Sequence, residues 1–137
     1  MTLKLSHVAG LVGLLASVAL ADTAVAGGTG LAFSPISLDI PALKGMSQGV
    51  AAVGGKQGYD VIILDPKFDG PTQAQQLNQL ISSGRIKSAW AISVNPGVMG
   101  GVIDTAKEKG AVLVLNGEPK DYGQSGMVPG VTFARID

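Results

Sequence analysis

Short apolar runs in this chain stop at residues that form hydrogen bonds: Ser34, Asp65, Asn95, Asn116 and Asp137. Four of these five are acids or amides, a set that suits recognition of hydroxyl groups better than burial of an apolar ligand. The same residue types are common turn formers and helix caps, which by itself accounts for Asp69 and bears on Asn95. Another candidate stretch, Ser37-Leu38-Asp39-Ile40-Pro41-Ala42-Leu43, lies between the first apolar run and a glycine-punctuated helix. The only histidine, His7, precedes all of these positions, and there is no cysteine. A Ser-His-Asp triad, a histidine zinc site, a thiolate site and a disulfide are therefore outside the reach of residues 27–137.

The elements that must position these residues follow a regular alternation. Gly30 to Phe33 reads as a strand, and Leu43, Met46, Val50 and Val53 then recur at helical spacing until Gly58. Val61 to Leu64 is a continuous apolar run of the kind covered on both faces of a sheet, ended by Asp65-Pro66. After Asp69-Gly70-Pro71 the spacing of Ala74, Leu77, Leu80 and Ile81 predicts a helix, with Gly84 just beyond it. Ala89 to Val94 reads as a third strand, and Asn95-Pro96-Gly97 opens a helix with Val98, Val102 and Ala106 inward and Gly110 as its stop. Ala111 to Leu115 and Val131 to Ile136 complete five strands. Strands alternating with helices imply right-handed βαβ units, so the expected fold class is α/β, an open parallel sheet of about five strands with flanking helices. In such a sheet the loops after the strands gather at one edge, which is where ligands bind.

Composition narrows the partners. The 137 residues carry ten basic and ten acidic side chains, giving no net charge, and 46% are hydrophobic. Scattered lysines form no basic stripe, which argues against a nucleic-acid partner. Residues 1–26 read as an export signal: Lys4 supplies a positive start, Val8 to Leu20 an uncharged apolar run, and Ala24-Val25-Ala26 a small-x-small cleavage pattern. The run is shorter than the ~20 residues a membrane span needs. Cleavage near Ala26 would release a periplasmic or secreted product. Gly27-Gly28-Thr29-Gly30 precedes a strand instead of following one, so it reads as a flexible start and not as a phosphate loop. Trp90 and Phe33 fall within strand runs and read as core.

The segment "SLDIPALKGMSQGVAAVGGKQGYDVIILD", residues 37–65, resembles the opening of the periplasmic sugar-binding proteins of ABC transporters, of the ribose-binding type. Asn95-Pro96 after the third strand and the run "IDTAKEKGAVLVLN", residues 103–116, are similar to the same family's third and fourth βα units. The resemblance implies an N-terminal lobe in residues 27–137, with a second lobe missing so that the chain is a fragment. It implies a binding protein and not an enzyme, capture of a sugar or similar small polar solute, and delivery to a membrane permease by a monomer that needs no cofactor or metal. Family binding positions fall at Ile40, Pro41, Ala42 and Leu43, where relatives carry Asn-Pro and two aromatics, and at Asn116 and Gly117, where relatives carry Asp and Arg. The Asp after strand five matches Asp137. The candidate ligand-binding set is Ser37, Asp39, Ile40, Leu43, Asn95, Asn116, Gly117 and Asp137. Asn116 keeps an acceptor and adds a donor, whereas losing a carboxylate and its cationic neighbour weakens charge-assisted hydrogen bonds. One lobe by itself is expected to bind sugars weakly or not at all. Alternative readings are a periplasmic solute receptor serving a membrane sensor, or a small α/β enzyme using strand-end acids to hold magnesium.

Overall fold

Every apolar run expected to pair does so in parallel register in a computed structural model, which describes residues 30–135. The segment 1–26 read as an export signal, residues 27–29, and Ile136 and Asp137 at the end of the expected fifth strand lie outside the described residues. The strands are Gly30–Ser34 (β1), Asp60–Ile63 (β2), Ser88–Ala91 (β3), Val112–Asn116 (β4) and Val131–Ala134 (β5), in the order β2-β1-β3-β4-β5. The helices are Pro41–Lys56 (α1), Gly70–Ser82 (α2) and Gly100–Lys109 (α3), with single 3-10 turns at Pro96–Val98 and Pro119–Tyr122. The expected open parallel α/β sheet is the observed fold. All four pairings are parallel. Parallel neighbours require a crossover between them, so the strands' carboxyl ends share one edge.

Register separates two unequal faces. Ala32, Ala89, Ala91, Leu113, Leu115 and Val131 point to one side, where they are buried with Leu77 and Ile81 of α2 and Val102, Ile103 and Ala106 of α3. Leu31, Phe33, Val61, Trp90, Val112 and Val114 point to the other. Among the described helices only α1 lies on that side. It seats closely because Gly54 faces β2: a Cβ there would stand 2.5 Å from Val61 Cγ2. Ser47 is also buried on this helix, and its hydroxyl donates to the Leu43 carbonyl at 2.8 Å. Past α1 no described helix covers the sheet. An open apolar groove of about 590 Å³, lined by Leu31, Met46, Val50, Val53, Tyr59 and Trp90, runs between the helix and β3.

Four expectations change in detail. Val61 to Leu64 are half-buried, not covered on both faces, because β2 is an edge strand. The Met46 and Val53 stripe of α1 borders the groove and stays exposed, since the helix rests on Ser47 and Gly54. The third strand stops at Ala91: Ile92 N still donates to Ser34 O of β1 at 2.9 Å, but Ile92 O and Val94 N bond to the Gln73 side chain. Val98 belongs to the 3-10 turn and is exposed, while Met99 takes the buried place before α3. Gly30 is part of β1, its carbonyl accepting from Lys87 N at 3.0 Å. At the far end of α3, Gly110 caps the helix at φ 66, a left-handed conformation that glycine adopts without a Cβ penalty. Among the described residues no helix is long and apolar enough to cross a membrane.

Candidate functional site

The loops at the carboxyl edge are tied to one another strand by strand. Beside β1, Ser37 is fully buried and its hydroxyl accepts from Asp39 N at 3.1 Å, which fixes the turn leading to α1. Asp39 is exposed, and Ile40 occupies the position before Pro41 with no side-chain cap. Leu43 lies in the first turn of α1 and is half-buried. The second loop grips the first: Asp65 Oδ1 accepts from Leu38 N and Lys67 N, each at 3.2 Å, and Phe68 N donates to Ile36 O at 2.9 Å.

Gln73, on α2, joins the first loop to the third. Its side chain is wholly buried, with Nε2 donating to Ser34 Oγ at 2.9 Å and Ile92 O at 3.0 Å. Its Oε1 accepts from Val94 N at 2.9 Å. The polar ends of β1 and β3 are thus satisfied by one amide, where two diverging strands would otherwise leave backbone groups unpaired. Asn95 follows, exposed, its Oδ1 accepting from Gly97 N at 3.0 Å. It stands beside the second loop, because a Cβ on Gly70 would come within 2.9 Å of Asn95 Cβ.

Tyr122 joins the third loop to the fourth. Its hydroxyl donates to Asn116 O at 2.6 Å and lies 2.8 Å from Ser93 Oγ. Burial pushes the Tyr122 phenol up from its ordinary pKa, with the Asp121 charge adding to the rise and Ser93 opposing it. Asn116 Oδ1 accepts the Trp90 indole N–H at 2.8 Å, whereas Asn116 Nδ2 is buried with no partner among the described residues. The acceptor of Asn116 is therefore committed to Trp90, and its amide donor is the group left to bond elsewhere. Gly117, at φ 127, donates its N–H to Ala134 O at 2.9 Å and links the fourth loop to β5. Next to it, Glu118 is held below the ordinary carboxylate range by the hydrogen bond from Lys120 at 2.7 Å, by the Lys120 charge and by Arg135.

Asp69 closes the second loop and caps α2. Its hydrogen bonds with Thr72, including the backbone N–H at 2.6 Å, hold its carboxyl below the usual value of 3.8. A depressed folded value means the cap contributes stability above the ordinary pKa, and the contribution is lost as pH falls through the lower, folded one. The chain should lose stability over that acidic window, and an Asp69→Asn variant, which caps without titrating, should lose less. Paired thermal melts at steps from pH 5 to pH 2 check this, and identical slopes would contradict it.

At this edge the Ser34, Ser37 and Tyr122 hydroxyls and the Gln73 amide are buried in the links between loops, and Asp39 and Asn95 are the candidate polar side chains exposed to solvent. Of the candidate residues, Ser37, Asp39, Ile40 and Leu43 share one loop, Asn95 lies across from it, and Asn116 and Gly117 stand farther along the edge beside β5. Among the described residues no group of three or more His, Cys, Asp or Glu is placed to hold a metal ion. Gln73, Ser93 and Tyr122 were not foreseen. Only Gln73 left a signal, being a polar residue in helical phase with Leu77 and Ile81.

No family model matches the chain, and no curated protein does. Solved structures do match. A Caulobacter myo-inositol binding protein bound to myo-inositol superposes with a TM-score of 0.60 at 16% identity, over 79% of this chain and 34% of that one. An ABC transporter solute-binding protein from Clostridium phytofermentans with bound β-D-glucose gives 0.62 at 20% identity, over 74% and 30%. A periplasmic one from Actinobacillus succinogenes with bound D-allose gives 0.61 at 10% identity, over 78% and 37%. The likeness is one of fold, that of a lobe of a solute-binding protein. The chain spans about a third of the length of those structures.

Proposed function

We propose that residues 27–137 act as one lobe of an exported solute-binding protein that captures a sugar or polyol and hands it to an ABC-type membrane permease, without chemistry on the ligand. The observation that carries this reading is the carboxyl edge itself, where Asp65, Gln73 and Tyr122 lock the strand-end loops into one polar ledge. The fold shared with proteins holding myo-inositol, glucose and allose supports it. A second lobe would supply the opposite wall, since a crevice needs two walls to bury most of a small ligand. The bare half of the sheet beside α1 is consistent with further chain packing there. Export through the 1–26 signal, release after Ala26 into the periplasm or medium, and a monomeric state belong to the same proposal.

Saturation-transfer NMR tests it with myo-inositol, D-glucose and D-allose. Contact with at least one is expected at weak affinity, on the order of millimolar, because a single wall leaves much of the ligand in water. Micromolar affinity would contradict the need for a second wall. Stoichiometric magnesium binding with no polyol contact would favour the enzyme reading instead.

A further inference from the structure

Among the described residues only Lys67, at φ 52, and Phe68, at φ 63, adopt positive φ without being glycine. For a bulky side chain that region is a true outlier, while asparagine or glycine enters it with far less strain. The turn is nonetheless firmly held, by the Asp65 bonds to Leu38 and Lys67, by Phe68 N to Ile36 O, and by Asp69 N to Pro66 O at 3.0 Å. Burial does not explain the residue, because Phe68 is 54% exposed. The fold holds an aromatic ring in water at a backbone position that another residue would fill with less strain. Such strain persists where the surroundings over-determine it, and it gathers at ligand clamps.

The ring's place completes the argument. The turn is bonded to the Ile36–Leu38 segment, and Gly70, two residues on, abuts Asn95, so Phe68 stands on the ledge between the first and third loops. Residues 35–40 of the first loop contain no aromatic. Tyr122 is buried, and Trp90 faces the groove beside α1. We propose that Phe68 is a ligand-contact residue whose ring packs against the C–H face of a cyclic sugar or polyol, while Asp39, Asn95 and nearby backbone groups take its hydroxyls. The inference rests on the polyol-binding reading above and goes further, selecting ligands that present a flat C–H face over open-chain polyols.

Two variants of the chain test it, with myo-inositol and its open-chain counterpart D-sorbitol as probes followed by backbone amide shifts. Phe68→Asn relieves the strain, so its melting temperature should rise by about 3 °C or more, while its dissociation constant for myo-inositol rises at least fivefold. Phe68→Leu keeps the strain and the bulk without the ring, so it should melt like the wild type and bind as weakly as the asparagine variant. Sorbitol should bind all three chains equally and less well than myo-inositol binds the wild type. A Phe68→Asn chain that melts lower would show that the ring packs for stability, overturning the proposal. Unchanged myo-inositol binding by that variant would overturn it too and leave the polyol reading standing. No shift by either probe in the wild type would sink both.

Discussion

Replacing Gln73 with leucine lowers the unfolding free energy by about 3–5 kcal/mol, although the volume and the helix are preserved. The amide nitrogen has two hydrogens, and its two shortest bonds are to Ser34 Oγ and Ile92 O. With Oε1 on Val94 N, the side chain satisfies three groups. Leucine would orphan all of them, and each buried orphan costs about 1–3 kcal/mol. Urea unfolding measures the difference, and a loss below about 1 kcal/mol would mean that water replaces the amide. Gln73→Glu gives a signed pH effect. A carboxylate there would aim an acceptor at Ser34 Oγ and Ile92 O, so only its neutral form can donate. The folded pKa of that glutamic acid rises above its unfolded value of about 4.3. Stability of this variant is then full below the unfolded value and is lost as pH rises through the folded one. The wild type, with a neutral amide, should show no such loss from this position.

The two faces of the sheet give the second large effect. Phe33 is fully buried beneath α1, its ring centroid 4.8 Å from that of Trp90 in a tilted pair. Phe33→Ala should cost about 3–5 kcal/mol, the usual penalty for emptying a closed aromatic site. Trp90 is the larger residue but borders the open groove. Trp90→Ala should cost less, about 1–2 kcal/mol, part of it from the lost bond to Asn116 Oδ1. Denaturant titrations of both variants at low protein concentration decide the order. A Trp90→Ala penalty equal to or above that of Phe33→Ala would mean that the bare half-sheet is covered in solution.

That contrast also shows how far the sequence could be read. The five strands were legible because short apolar runs of strand length stand between polar and glycine- or proline-containing turns, and Asp69-Gly70-Pro71 and Gly110 mark helix ends by backbone chemistry that has few alternatives. Which strand lies at an edge was not legible, since Val61 to Leu64 are apolar on both sides whether or not a helix covers each side. The stripe of Met46 and Val53 has the right period for a core, yet it borders a groove, because periodicity reports that a face is apolar and not what covers it. At the site, the candidate loops were found by position in the βα units. Their links were not, because Gln73 and Tyr122 act across loops distant in sequence and bond mainly to backbone groups that any residue carries. Phe68 was hidden for the opposite reason: its turn uses a conformation that phenylalanine ordinarily avoids.

The most direct test of the central claim is a map of backbone amide shifts as myo-inositol is titrated into the chain. Shifts with a common, weak saturation curve are expected at residues 36–39, 67–69, 93–95 and 97, with the α1 groove around Met46, Val53 and Tyr59 unaffected. Shifts confined to that groove, or none along the carboxyl edge, would contradict it.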